Sequence, residues 1–503
     1  MTSSYFFPYD NHTGNPYKHS QVCAPLRAVR GFLLSAEFML LPALVACICS
    51  GSGDAHTMTG LIINAQLFGL VLLLCDDFAA AMMPFFAVMC QGSTLFSRWD
   101  IILPYIIPWG ILPAVGLLFH LTVYHRPVKP GISSYGLVAT CLAIFLGGIG
   151  TVSPLAPFEN TANAFYFFGL SFGLLFFYFL FSAHYKTIKN YDVYEHFLWQ
   201  TLFTGIICGV IVLLTLLNAN QNDLDFKEFR NNISFRNSIA NIMIVGLPAG
   251  FYFAGKKSLP LYGKLLSFCL GCLVYVGLCF TASRTAILFG GILFILCLIY
   301  YFRTERAKLA KFLNLLIFLV CFSAFVCIAP KLLNLFSYQE LWETFKTSPW
   351  SVFDVSGYRA RFELFFVSVE NFLAHPLFGA GLLSKSTEGL FSLGLGCMYW
   401  YHSFFPQVWG SFGLFGSIAY TLHLGIRAKL MCFQPDRASV AISLSALGLF
   451  LFSMTDPGEF MPIPFGMMAV LTFVLLERHM EAHPDNLLLS KKPTFITKNR
   501  GKT

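Results

Sequence analysis

The feature that most constrains the fold is a series of apolar segments of about membrane-spanning length, which runs from Gly31 to Leu476. A bilayer core about 30 Å thick needs about 20 apolar residues in a helix, and about 14 segments approach this length. The chain is 56% hydrophobic and only 12% charged, whereas soluble domains carry about 25% charged residues. The segments lie near residues 31–49, 60–75, 78–92, 101–124, 132–152, 164–183, 198–217, 238–254, 264–283, 285–302, 311–329, 403–424, 437–454 and 462–477.

These segments predict an all-α, polytopic integral membrane protein with about 12–14 transmembrane helices, because helices satisfy their own backbone hydrogen bonds in lipid. The two segments between residues 60 and 92 are separated only by the polar stretch "CDD" at 75–77. We place a transmembrane domain at 31–477, between a cytoplasmic tail at 1–30 and a basic cytoplasmic tail at 478–503.

The positions of the basic residues predict the orientation. If the N-terminus is cytoplasmic, the segments on that side hold 23 of the 33 Lys and Arg residues. Cytoplasmic loops of membrane proteins carry an excess of Lys and Arg. This rule accounts for the net charge of +8 without a nucleic-acid partner, and it predicts that both termini are cytoplasmic.

Arg284 is the only charged residue between Lys264 and Arg303. A single helix over residues 264–302 would be roughly 58 Å long at 1.5 Å per residue, about twice the thickness of the hydrocarbon core. The tract is therefore predicted to form two helices that turn at the polar "TASRT", residues 281–285, on the exterior side. Arg284 there is either a snorkelling arginine at a turn or a cation that faces an anionic group.

The longest exterior loop, at about 330–402, contains a predicted amphipathic helix from Tyr358 to Leu373, whose apolar residues recur at helical spacing. Loops of this length are often functional. Arg359 has Glu363 four residues later as an ion-pair partner. Arg361 has no acidic residue at such a spacing, so it is the better candidate to bind an anion.

Two histidines flank the rest of this loop. His375, before Pro376, is typical of a helix end, with a catalytic role as the alternative. His402 stands where the loop meets the next segment and is either an interfacial side chain or a group that accepts a proton near neutral pH. Asp456 and Glu459 form an isolated exterior acidic pair, and no exterior Asp/Glu cluster of metal-ligand type is present. The glycines of that next segment, at 410, 413 and 416, predict a helix-packing face.

Four stretches in order resemble the O-antigen ligase and O-antigen polymerase superfamily of bacterial membrane glycosyltransferases. "FRNSIANIMIVGLP" (235–248) is similar to its Asn-bearing exterior motif, and "TASRTA" (281–286) to its Ser-Arg motif. "RFELFFVSVENFLAHPLFGAG" (361–381) resembles its Arg and His-Pro motif, and "YHSFFPQVWGSFGLFG" (401–416) its His-containing, Gly-rich span. The resemblance covers about 235–425.

The resemblance implies a GT-C-like fold in the bacterial cytoplasmic membrane and transfer of a glycan from undecaprenyl pyrophosphate to a sugar hydroxyl, without metal or cofactor. Arg284 and Arg361 would bind the pyrophosphate and His402 would be the general base. The secondary candidates are Arg359, Arg236, Asn241, His375, Asp456 and Glu459. The family often has Asn after the His, where this chain has Ser403. This difference concerns the contacts with the acceptor more than the class of reaction.

The alternative class is a transporter, such as a lipid-linked glycan flippase or an ion-coupled carrier. Carriers commonly show inverted repeats and polar or broken helices at the membrane midplane, whereas the unusual residues here cluster at one predicted face. Within the enzyme class, ligase and polymerase differ in the acceptor, either a separate glycan or another lipid-linked repeat. The sequence leaves that choice open.

Overall fold

In a computed structural model of the chain, the described residues fold into helices joined by short connections. The structure describes residues 24–50, 54–95, 99–149, 161–221, 236–281, 283–335, 346, 356–382, 401–433, 436–456, 458–460 and 465–483. The helices are Ala24–Leu33 (α1), Ala36–Cys49 (α2), Asp54–Leu74 (α3), Phe78–Leu95 (α4), Trp99–Val123 (α5), Ile132–Leu146 (α6), Thr161–Tyr185 (α7), Val193–Gln221 (α8), Arg236–Ala254 (α9), Leu261–Phe280 (α10), Arg284–Thr304 (α11), Lys308–Leu335 (α12), Ser356–Ala374 (α13), Phe404–Cys432 (α14), Arg437–Ser453 (α15) and Met467–Ala482 (α16).

The predicted class, an all-α polytopic membrane protein, is confirmed. Each predicted apolar segment corresponds to a helix, and the segments at 60–92 are two separate helices, α3 and α4. Among the described residues, seven helices are long and apolar enough to cross a membrane by length and composition. Shorter apolar stretches are α2, α6, α15 and the part of α5 from Pro108 to Val123. Several bounds differ from the prediction, because α12 continues to Leu335 and α1 begins inside the predicted tail at 1–30.

The tract that contains Arg284 forms two helices, α10 and α11, as its length predicted. Thr281 ends the first helix, and its hydroxyl accepts a hydrogen bond from the backbone N–H of Ser283. The Ser283 side chain then accepts a bond from the N–H of Ala286 and caps the second helix. A serine cap satisfies a backbone donor that the first helical turn would leave unpaired.

The centre of the bundle is α9, which packs against α8, α10, α11 and α15. Most of its residues are buried. Nineteen residues make it about 28 Å long at 1.5 Å per residue, close to the thickness of a hydrocarbon core. Its two ends therefore belong to opposite faces of the bundle.

At one of these faces, Arg437 at the start of α15 links the residue after α9 to the end of α11. Its guanidinium donates to the carbonyl oxygens of Gly255, after α9, and of Thr304, at the end of α11. Lys264, in the first turn of α10, and Glu305, directly after α11, form a buried ion pair at 2.8 Å on the same face. The loops that the charge distribution assigns to the cytoplasm thus contact one another. Asn237, Arg284 and Asp456 lie at the other ends of α9, α11 and α15.

The long loop predicted at 330–402 is described over 330–335, at 346 and over 356–382, with residues 401 and 402 at its end. The predicted amphipathic helix at 358–373 is observed as α13, Ser356–Ala374. It packs against α14, so the loop is held on the bundle beside the helix that follows His402.

Candidate active site

The candidate site is built around Asn237, in the first turn of α9. Its side-chain oxygen accepts a hydrogen bond of 2.8 Å from the Ser283 hydroxyl. Its side-chain nitrogen donates to Oδ2 of Asp456, also at 2.8 Å. One amide side chain therefore links the turn that carries Arg284 to the connector that follows α15.

A second bond holds the same connector. The hydroxyl of Thr455 donates to the hydroxyl of Thr285 at 2.8 Å. Thr285 directly follows Arg284, which is half-buried at the start of α11. The "TASRT" turn is thus fixed against the connector on both sides of Arg284.

His402 lies beside this connector and has an unusual backbone conformation. Its φ is +52°, the left-handed region, which costs a residue with a side chain roughly 1–2 kcal/mol. Hydrogen bonds hold both neighbours: the backbone N–H of Tyr401 donates to Gln407 at 3.0 Å, and the Ser403 hydroxyl donates to the carbonyl of Met454 at 2.9 Å. Strained conformations of this kind concentrate at functional sites.

The surroundings of His402 set its basicity. Burial lowers the pKa of the imidazole, the nearby Asp456 carboxylate raises it, and the Arg361 guanidinium lowers it. The ring is half-buried, and its Nδ1 has no hydrogen-bond partner among the described residues. A histidine with a lowered pKa is neutral near pH 7 and can accept a proton.

Arg361, which lowers the pKa of His402, belongs to α13. Two side-chain bonds hold this helix: Trp409 Nε1, in α14, donates to Ser368 at 2.9 Å, and Asn371 donates to the hydroxyl of Tyr401, in the turn before α14, at 2.6 Å. The second bond ends on the residue before His402. The helix with the arginine and the turn with the histidine are therefore positioned together.

The glycine-rich segment at residues 376–381, which follows α13, binds to α14 at the point where that helix is interrupted. Gly413 has φ +61° and ψ −151° and interrupts the helix, which leaves backbone groups on both sides of it without partners. Four backbone hydrogen bonds of 2.8–3.1 Å join residues 376–381 to residues 410–415. Gly410 packs closely on α13, as predicted, since a Cβ there would lie 3.0 Å from the Cβ of Ser368. Gly413 differs, because it breaks the helix.

The secondary candidates are spread more widely. His375 follows the last residue of α13, and its carbonyl accepts a bond from Gly379, the helix-end position that the sequence favoured. Asn241 is buried one turn deeper in α9 than Asn237. Arg236 is half-buried in the first turn of α9, and the side chain of Arg359 lies outside the described residues.

Glu459 lies close to Asp456 in sequence but has a different environment. Both of its carboxylate oxygens bond to Arg427, at 2.5 and 2.8 Å, and the side chain is buried. Arg427 lies within α14, and 2% of its surface is exposed. The two acidic residues that the sequence predicts as an exterior pair thus lie in two different environments.

Sequence reasoning missed Asn237, Ser283 and Gln407. Asn237 lies inside the "FRNSIANIM" stretch, in which the resemblance points to Asn241 instead. Ser283 could have been identified as a helix cap from its position before Arg284. The described residues also contain no group of three or more His, Cys, Asp or Glu that could hold a metal, and metal independence stays a prediction.

The fold and this face define a polytopic helical membrane protein with a polar, charged site at one end of its bundle. Residues 268–421 match the family model described as O-Antigen ligase. The match includes the motifs at 281–286, 361–381 and 401–416, and it confirms the resemblance to the O-antigen ligase and polymerase superfamily. It supports a glycosyltransferase of this general type. A search of curated proteins found no match.

Proposed function

We propose that the protein transfers a glycan from an undecaprenyl pyrophosphate-linked donor to a sugar hydroxyl at the outer face of the bacterial cytoplasmic membrane. The observation that carries the proposal is that His402 lies within electrostatic reach of both Asp456 and Arg361. Asn237 links Asp456 to Ser283, the residue before Arg284. Base, carboxylate and arginines thus belong to one end of the bundle.

In this mechanism the acceptor hydroxyl attacks the anomeric carbon of the donor. The new glycosidic bond forms as the bond between the anomeric carbon and the phosphate oxygen breaks, and the lipid pyrophosphate leaves with the electron pair. His402 takes the hydroxyl proton. The negative charge that grows on the leaving group needs fixed cations, and arginine offers phosphate a forked pair of donors.

Arg284 and Arg361 would hold the pyrophosphate from two elements, α11 and α13. Arg284 stands in the first turn of its helix, where the positive end of the helix dipole also favours an anion. Asp456 has a different role. Its carboxylate stabilises the imidazolium that forms when His402 takes the proton. Asn237 positions that carboxylate.

The proposal is tested with purified protein in liposomes that contain an undecaprenyl pyrophosphate-linked glycan. We expect one free undecaprenyl pyrophosphate for each glycan transferred to the acceptor. A flippase or carrier would instead move the lipid-linked glycan across the bilayer without cleaving it, and that outcome would refute the proposal.

The acceptor class is tested in cells. In a deletion strain, surface glycan reduced to single repeats indicates a polymerase, whereas long lipid-linked chains that accumulate indicate a ligase. In either case the proposal places both termini in the cytoplasm and makes the bilayer, the lipid-linked donor and a glycan acceptor the partners of the protein.

A further inference from the structure

A buried ion pair lies below the proposed site. Arg427, in the part of α14 after its break, bonds through two nitrogens to Glu459. The guanidinium also lies over the rings of Phe450 and Phe473, at 5.3 and 4.6 Å from their centroids. The exposed fractions of Arg427 and Glu459 are 2% and 8%.

Such a pair is not explained by stability. Removing two charges from water costs several kcal/mol for each ion, and apolar side chains of similar volume often stabilise a protein as well or better. Breaking the pair at one side leaves a buried charge unpaired, which is strongly unfavourable. Positional specificity therefore explains the pair better than stability does, because the two charges are paired in only one position of Glu459 relative to α14.

Glu459 belongs to the connector that carries Asp456. The connector continues from α15 through Met454 to the short 3-10 turn Gly458–Phe460. The backbone N–H of Gly458 donates to the carbonyl of Asp456 at 2.6 Å. The residues that carry the carboxylate beside His402 and the carboxylate bound by Arg427 are thus three positions apart, and this backbone bond ties the 3-10 turn to Asp456.

The connector is held at both ends. At the site end, Ser403 bonds to Met454 and Thr285 accepts the bond from Thr455. At the other end, the ring of Phe460 packs on Phe404, Phe412 and Tyr420, at centroid distances of 5.2–5.9 Å. Aromatic packing can shift by small steps, whereas a two-bond ion pair has a single favourable geometry.

We propose that Arg427 and Glu459 form a positioning pair that fixes the connector and thereby holds Asp456 beside His402. This inference rests on the proposed function, because it assumes that Asp456 supports a base at His402. It also gives the secondary candidate Glu459 a positioning role, since both of its carboxylate oxygens already bond to Arg427.

The test replaces both charges with apolar side chains, Arg427→Met together with Glu459→Leu. The double variant leaves no unpaired buried charge, so we expect wild-type thermal stability and donor KM. We expect kcat to fall on the order of 10–100-fold, the scale of a small misplacement of a catalytic group. A pair that serves only the fold predicts wild-type kcat in this stable variant, and that result would overturn the proposal.

A matched control uses the buried Lys264–Glu305 pair at the opposite face, whose atoms are 2.8 Å apart. Lys264→Met with Glu305→Gln should leave kcat unchanged. If the Arg427/Glu459 double variant does not fold, Glu459→Asp keeps the charge and shortens the side chain. We expect about tenfold lower kcat for that variant at unchanged KM, and wild-type kcat would again contradict the pair's role.

A mutant cycle with Asp456→Asn separates this inference from the proposed function. Two changes that act through one residue are not additive, so Asp456→Asn should reduce kcat little further in the double variant. If the factor by which kcat falls in the combined variant equals the product of the two separate factors, the positioning role is wrong. Wild-type transfer by Asp456→Asn alone would instead refute the proposed function of that carboxylate.

Discussion

Asn237 and Asp456 are 219 positions apart, and the side-chain nitrogen of the first lies 2.8 Å from a carboxylate oxygen of the second. This bond joins the first turn of α9 to the connector after α15. It holds the Asp456 carboxylate by a neutral donor, and the negative charge of that carboxylate raises the pKa of His402. The electrostatic balance at His402 therefore gives the sharpest predictions.

Asp456→Asn removes a charge at nearly constant shape. Asp456 raises the pKa of His402, so its loss should lower that pKa and move the acid limb of the pH profile of kcat/KM to lower pH. The neutral imidazole would also be a weaker base, and we expect transfer at the plateau to fall about tenfold or more. A limb that stays in place or moves to higher pH would contradict the role of Asp456.

Arg361→Gln should shift the acid limb of this pH profile in the opposite direction and serves as the control. The Arg361 guanidinium lowers the pKa of His402, so its removal should move the acid limb to higher pH. Arg361→Lys keeps the charge, and its limb should stay close to that of the wild type.

The second prediction concerns pyrophosphate binding. Arg284→Ala and Arg361→Ala should lose most of the transfer activity and raise the KM for the donor, and the lysine variants should recover only part, because lysine lacks the forked donor pair. Arg359→Ala should have a milder effect, since its predicted partner is Glu363. Transfer and expression of each variant are measured together. Wild-type transfer by both alanine variants would exclude the pyrophosphate assignment.

Much of this arrangement could be predicted from sequence, and the limits are physical. The length of the apolar tract around Arg284 required two helices, and periodicity identified α13. The break of α14 at Gly413 could not be predicted, because it depends on backbone bonds from residues 376–381, more than 30 positions earlier. The pairing of Asn237 with Asp456, and of Arg427 with Glu459, likewise follows from helix packing rather than from local pattern.

The third prediction tests that break. Gly413 has φ +61°, and a Cβ there would lie 2.6 Å from the backbone nitrogen of Gly379. The backbone conformation alone should therefore make Gly413→Ala less stable by roughly 1–2 kcal/mol. The contact of the new Cβ with Gly379 should add to that loss. Gly425 lies in the same helix, and a Cβ added there would meet no atom within 4 Å, so Gly425→Ala should keep or raise stability. Thermal unfolding in detergent compares the two, and equal stability would contradict the broken helix.

The fourth prediction concerns orientation. Lys346, in the long loop, and Lys257, between α9 and α10, are both exposed. With both termini cytoplasmic, an impermeant thiol reagent applied to intact cells should label Lys346→Cys but not Lys257→Cys, with the wild-type protein as the background control. The reverse pattern would invert the topology and remove the site from the exterior face.

Glycan transfer by His402→Ala tests the proposed general base most directly. It is measured in liposomes with the undecaprenyl pyrophosphate-linked donor, together with donor binding, and His375→Ala is the matched histidine control at the end of α13. A positioned base contributes about 10²–10⁴-fold, so His402→Ala should lose transfer to that extent while it still folds and binds donor, and His375→Ala should lose far less. Wild-type transfer by His402→Ala, or an equal loss in both variants, would contradict the assignment of His402 as the base.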